Sequence, residues 1–232
     1  PMPVVMLSTE THRGSAAAIE ALSLGAVDCI GKPRAGAPSA MSDLAERVFV
    51  AAGAHLQSRI PPAAPPRAEF RWNGKIVLIG ASTGGVDALE RVLCEIPENA
   101  PPILIAQHMP KGFLESFSDR LSRRIAPRVG IAREGEPLRQ GQVFIAPGAD
   151  HHLVVAASHD GMRCRLDASE KCNGHRPSVD VLFRSATGVA KRVVAVLLTG
   201  MGRDGASGML ELRQAGACTI AQDEESCVVY GM

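Results

Sequence analysis

Aromatic side chains make up only 3% of the 232 residues, with one tryptophan and one tyrosine. The interior must therefore be aliphatic, and no aromatic platform exists on which nucleic-acid bases could stack. Neither sign of charge dominates: 25 Lys and Arg against 24 Asp and Glu leave a formal net charge of +1. A polyanionic backbone needs a basic excess, so nucleic acid is excluded as a partner. No apolar run reaches the roughly eighteen residues that span a bilayer, and residues 1–20 lack a basic start followed by an apolar core. A soluble, cytoplasmic protein without membrane insertion is expected. The cysteines, Cys29, Cys94, Cys164, Cys172, Cys218 and Cys227, show no Cys-x-x-Cys spacing, which predicts buried free thiols rather than a zinc site or a disulfide frame. Adjacent residues of a strand point to opposite faces, so His151 and His152 read as the polar rim of a hairpin. No metal and no cofactor are expected.

Residues 1–59 read as strand, helix, strand, helix. "PVVMLST" and "AVDCIGKP" flank a helix with Ala17, Ile19, Leu22 and Leu24 roughly on one side, and such a crossover joins parallel strands. The second helix, from Met41 to about Arg59, carries Met41, Leu44, Val48, Ala52 and Leu56 at spacings of three and four. Residues 60–74 open with "IPPAAPPR", a proline-dense linker. From Lys75 onward strands and helices alternate, as a mostly parallel sheet requires. Strands are predicted at Ile76 to Ile79, Ile103 to Gln107, Val193 to Thr199 and Cys218 to Ala221, and helices from Val86, Gly112 and Ala206. "GQVFIAPGADHHLVVAAS" with "MRCRLDAS" is read as an antiparallel hairpin grafted onto the sheet. Ser178 is a candidate helix cap after Pro177. The fold class is α/β: a doubly wound, mostly parallel sheet with an inserted antiparallel hairpin, preceded by a partial βαβα segment.

Three polar residues fall just past the ends of apolar strands: Ser82 after "IVLIGA", His108 after "ILIAQ", and Asp204 in "TGMGRDGASG" after "VVAVLLT". Loops at the carboxyl edge of an open parallel sheet converge on one crevice. Serine is a poor nucleophile until a histidine takes its proton and a carboxylate fixes that imidazole's tautomer, so the three together suggest a hydrolytic triad. Backbone N–H groups of "TGMG" could receive an oxyanion. Singly, each residue has a plainer reading: a helix cap, a structural histidine, a turn aspartate.

Two rival readings of "GASTGG" follow from its glycines. A glycine-rich strand-to-helix turn can seat the phosphate of a dinucleotide, but the next strand ends in Gln107-His108 where a ribose-binding acid would stand. Residues 80–84 also satisfy G-x-S-x-G; the chain order of α/β-hydrolases would then make His175 the base, with Asp150 or Asp167 as its partner. A binding or scaffold protein is the non-enzyme alternative.

Taken together, "IGASTGG", "AQHMPKGF", "GQVFIAPG", "HRPSVDVLF", "LLTGMGRDGASGM" and "AGACTIAQDEESCVVYGM" closely resemble the chemotaxis receptor methylesterase family, in order from Lys75 to Met232. The resemblance implies Ser82 as nucleophile, His108 as base and Asp204 as orienting acid, with the Met201 N–H in the oxyanion hole and Thr83 lining the site. It implies hydrolysis of γ-glutamyl methyl esters on chemoreceptors and deamidation of certain receptor glutamines. The substrates would be methyl-accepting chemotaxis receptors, with a chemotaxis histidine kinase as partner of the full-length protein. Residues 1–59 resemble the later half of a response-regulator receiver, with Ser8 at the switch hydroxyl and Lys32 at the phosphate-contacting lysine. Measured against these families, the chain is expected to lack the receiver's phosphoacceptor half and, beyond residues 75–232, a final helix, strand and tail.

Overall fold

The computed structural model describes residues 2–8, 12–32, 38–54 and 70–232; most of the expected linker, and residues 55–59 of the expected second helix, lie outside these. Alternation of apolar residues decides the central architecture. In β3 (Ile76–Ala81), Ile76 and Leu78 face one side while Ile79 and Ala81 face the other, the period-two projection of a strand buried on both faces. In β4 (Ile103–Gln107), Leu104 and Ala106 join the first side, Ile103 and Ile105 the second. Each face therefore needs its own cover of helices.

The main sheet has six parallel strands in the order β10-β9-β3-β4-β6-β5. Its remaining members are β5 (Arg128–Ile131), β6 (Gln142–Ile145), β9 (Val193–Leu197) and β10 (Cys218–Ala221). Helices α3 (Gly85–Cys94) and α4 (Lys111–Ser122) cover one face with Leu89, Leu93, Phe113 and Phe117, all fully buried. Helices α5 (Val179–Ser185) and α6 (Ala206–Gln214) cover the other through Leu182, Phe183 and Leu212. A hairpin of β7 (His152–Ser158) and β8 (Gly161–Asp167) packs beside α5.

In the main sheet, two strands differ from the sequence reading. "GQVFI" is not an arm of the hairpin: Gln142–Ile145 lies inside the parallel sheet between β4 and β5, and the antiparallel partner of β8 is "HLVVAAS" alone. Strand β5 was not expected; its burial is partial, as befits an edge strand, and its apolar pattern is too short to register. Among the described residues, no helix is long and apolar enough to cross a membrane.

The amino-terminal segment is β1 (Val5–Ser8), α1 (His12–Ser23), β2 (Asp28–Gly31) and α2 (Pro38–Ala52), with β1 and β2 parallel. The buried stripe of α1 is Ser15, Ala18, Ile19 and Leu22, which is i, i+3, i+4, i+7 spacing. Ala17 and Leu24, assigned to that face from sequence, are exposed. Ala18, Ile19 and Leu22 share one apolar cluster with Ile79, Leu89 and Leu114, so α1 is docked onto the α3–α4 layer. The opposite side of the segment is open, with Val48 and Phe49 of α2 and Val4 and Leu7 around β1 exposed.

Candidate active site

Strands β9, β3 and β4 are neighbours, so the loops after them emerge side by side at intervals of about 4.8 Å. Register levels two of them: Ala81 pairs with Gln107, which places Ser82 beside His108. The ladders run one residue further, His108 N–H donating to Ala81 O (3.0 Å) and Ser82 N–H to Thr199 O (3.1 Å). Ser82 then enters a tight turn closed by Gly85 N–H on Ser82 O (2.8 Å), with Gly84 at φ 78°, a backbone that a β-branched residue resists. Gly200 is there for space: a Cβ on it would lie 2.6 Å from Ser82 Cβ. The Ser82 hydroxyl makes no hydrogen bond among the described residues, and neither does the Met201 N–H in the facing loop.

His108 Nε2 and Asp204 Oδ2 are 2.8 Å apart, with both side chains almost completely buried. Asp204 accepts four further hydrogen bonds: from Val179 N–H on Oδ2 (2.7 Å), and on Oδ1 from Ser178 Oγ (2.8 Å), Asn173 Nδ2 (3.1 Å) and Asp180 N–H (3.2 Å). Burial works against its charge, but the bonds from His108, Ser178 and Val179 outweigh burial and hold the carboxyl well below the usual range. An ionised Asp204 fixes the imidazole with its proton on Nε2. Among the described residues, buried His108 Nδ1 has no partner, leaving a lone pair ready to take a proton.

This carboxylate sits where α5 begins, and the exchange is mutual. Asp180, in the first turn of α5, accepts from Gly205 N–H (3.0 Å) and Gly208 N–H (2.7 Å) where α6 begins. Each buried acid thus satisfies orphan N–H groups of the other's helix. Ser178 is the N-cap expected from sequence, accepting from Val181 N–H (3.3 Å), but its hydroxyl also donates to Asp204. His152 is not a rim residue: it is fully buried, its Nδ1 accepting from Ser178 N–H (3.0 Å) while Nε2 donates to Glu170 O (3.0 Å). Cys172, Asp180 and Asp204 form the group of possible metal ligands among the described residues. The oxygens of its two carboxylates already accept N–H and O–H donors, which compete with a cation for the same lone pairs.

His175 is not partnered as the G-x-S-x-G alternative requires. Its ring stacks on His108 with centroids 3.7 Å apart and planes inclined by 7°, while Asp167 accepts from Ser169 N–H (2.9 Å) and Asp150 is exposed. Sequence reasoning missed Asn173 and Asp180 altogether. The Asn-Gly dipeptide at 173–174 was the available signal for a tight turn there.

Thr83 is buried beside Ser82 and faces the amino-terminal segment: Thr83 Oγ1 lies 3.4 Å from Asp28 Oδ2, and Gly84 N–H donates to Val27 O (3.2 Å). Burial lifts the Asp28 carboxyl above its ordinary range against the opposing charge of Arg47, 3.0 Å away. Ser82 opens onto a cavity of about 1050 Å³ between this segment and the main sheet, lined also by Leu24, Val27, Met109 and Val228. Ser8 and Lys32 lie together at the carboxyl end of the β1–β2 pair, Lys32 N–H donating to Ser8 O (2.8 Å) and Ser8 Oγ to Gly14 O (3.0 Å).

A doubly wound sheet that gathers a serine, a histidine and an aspartate at the ends of three adjacent strands defines a class, the α/β hydrolytic enzymes with a serine-centred crevice. Comparison with known proteins narrows the class. A family profile described as CheB methylesterase matches residues 77–232. The protein-glutamate methylesterase/protein-glutamine glutaminase of Rhizobium etli is 52% identical over 237 residues, spanning all of this chain and 68% of that protein. That of Agrobacterium fabrum is 49% identical, with the same coverage. The crystal structure of the Thermotoga maritima CheB methylesterase catalytic domain matches 69% of this chain and 86% of its own, at 42% identity and a TM-score of 0.66. The chain belongs to the CheB methylesterase family.

Proposed function

We infer that the chain is a protein-glutamate methylesterase and protein-glutamine glutaminase of chemotaxis, acting on methyl-accepting receptors through Ser82, His108 and Asp204. The observation that carries this reading is the buried His108–Asp204 pair, level with Ser82, with neither His108 Nδ1 nor the Ser82 hydroxyl hydrogen-bonded among the described residues. His108 Nδ1 accepts the Ser82 proton as Oγ attacks the γ-carbonyl carbon of a glutamyl methyl ester. The Met201 N–H receives the oxyanion, and such a donor stabilises the transition state by about 3 to 4 kcal/mol. The imidazolium, stabilised by Asp204, returns the proton to the leaving methoxide, releasing methanol and an acyl-serine. Water, activated by the same imidazole, restores serine and a glutamate carboxylate. With glutamine the leaving group is ammonia, so one triad serves both reactions.

In this reading residues 75–232 are the catalytic body, 60–74 a linker, and 1–59 the later half of a receiver-like regulatory segment carrying the switch positions Ser8 and Lys32. Its βαβα order and its seat against the Thr83–Gly84 turn support that role, and a chemotaxis histidine kinase is the matching partner. The test is methanol release from a methylated receptor cytoplasmic fragment. Ser82→Ala is expected to release none while keeping its fold by circular dichroism; a folded variant with near-normal release rules the triad out.

A further inference from the structure

One tight turn supplies side chains to both buried members of the site. Cys172 and His175 exchange both backbone hydrogen bonds (3.1 and 2.9 Å), and Asn173 (φ 52°) and Gly174 (φ 79°) between them are both left-handed, the signature of a type I′ turn. Asn173 Nδ2 donates one proton to Asp204 Oδ1 (3.1 Å) and the other to Asp180 Oδ2 (2.9 Å). Two residues on, the His175 ring lies flat on His108. We propose that the Cys172–His175 turn is the positioning device of the active site, with Asn173 clamping the acid and His175 bracing the base.

Backbone needs do not explain these side chains. Glycine would satisfy φ 52° at position 173 at least as well as asparagine, and Asn173 is an exposed residue whose amide nonetheless reaches two buried acids. The amide matters because two carboxylates in one buried site repel, and each of its protons bonds one of them. The aspartates are thereby tied to each other, and the α5 and α6 termini that they cap are tied with them. His175 covers one face of His108, hindering rotation about the Cβ–Cγ bond that would carry Nε2 away from Asp204. Burial, then the neighbouring His108, push His175 down to about 4, so an uncharged plate meets the imidazolium that forms during turnover. The charged and titratable groups acting on His175 are His108, Asp204, Arg47 of α2 and Lys171.

The proposal rests on the triad reading, and its test separates the two. Methanol release is measured for Ser82→Ala, Asn173→Gly, Asn173→Asp, His175→Ala and His175→Phe, and the His108 tautomer is read independently from ¹⁵N-histidine spectra of the full chain. Asn173→Gly and His175→Ala are expected to lower kcat by about 10- to 100-fold with KM unchanged, as for small misplacements of reacting groups. They are also expected to broaden or mix the His108 tautomer signals. His175→Phe keeps the flat face and is expected to restore kcat to within about threefold. Asn173→Asp sets a third carboxylate beside the pair, replacing a donor with a like charge, and is expected to lower kcat. If Asn173→Gly melts below the assay temperature, Asn173→Asp, of the same shape, decides. Wild-type kcat and an unchanged tautomer in Asn173→Gly and His175→Ala overturn the proposal. Normal activity in Ser82→Ala instead overturns the triad.

Discussion

Replacing Asp204 by asparagine probes the site with almost no change of volume. Its two oxygens accept five hydrogen bonds and it donates none. Asparagine offers one oxygen and one NH₂, so one cluster of donors must face another donor. With the NH₂ at the Oδ2 position, Val179 N–H is orphaned and His108 must shift its proton to Nδ1, losing the lone pair that accepts from serine. With the NH₂ at the Oδ1 position, Asp180 N–H and one Asn173 amide proton are orphaned, and only Ser178 can rotate to accept. A buried orphan donor costs about 1 to 3 kcal/mol, and a charge-assisted bond contributes about 1.5 to 3 kcal/mol. The expected destabilisation is therefore about 2 to 4 kcal/mol, read by urea unfolding at pH 7. Loss of the correct tautomer is expected to lower turnover by about 10⁴-fold, read as methanol release. A folded Asp204→Asn enzyme within tenfold of wild type, with His108 still protonated on Nε2, would refute the assignment of Asp204 as the orienting acid.

Other outcomes follow from the same geometry. His175 has a folded pKa of about 4 against an unfolded value near 6.5, so the unfolded chain binds the extra proton between these values. Stability is fully present above about pH 6.5 and lost as pH falls toward 4, by about 1 to 2 kcal/mol once partial solvent access is allowed for; His175→Phe should flatten that part of the melting profile. Asp204 runs the other way in origin but not in sign: its depressed carboxyl contributes stability that is present above about pH 3.9 and lost only in stronger acid, a loss that acid unfolding of Asp204→Asn should lack. In Gly80→Ala the new Cβ would overlap Val179 Cγ1, pushing away the residue whose N–H holds Asp204. A loss of about 1 to 3 kcal/mol is expected, with partial rescue by Val179→Ala in a double-mutant cycle. Removing residues 1–66 frees the Thr83–Gly84 turn from Val27 and Asp28 and takes away one wall of the cavity onto which Ser82 opens, so turnover on the receptor fragment should rise. Unchanged turnover from a folded deletion variant would show that the segment does not restrict access to Ser82.

Local information was enough for much of this. The period-two apolar runs of β3, β4 and β9, and the i, i+3, i+4 stripes of the helices, record one-dimensional burial that each segment carries in its own side chains. The glycines of "GASTGG" and "TGMGRDG" mark turns for reasons of φ and close approach that are equally local. Ser82, His108 and Asp204 could be picked out because each follows such a strand. Only the tertiary structure decided that β9, more than a hundred residues downstream, inserts beside β3, and that "GQVFI" joins the parallel sheet rather than the hairpin. Strand neighbours are chosen by long-range register and helix cover, which no short window of sequence contains. The exchange of Asp180 and Asp204 between two helix termini, the Asn173 amide between them, and the His175 ring on His108 belong to the same category. A hydrogen bond or a ring stack becomes definite only when both partners have a position, and those positions are set by packing across the whole sheet.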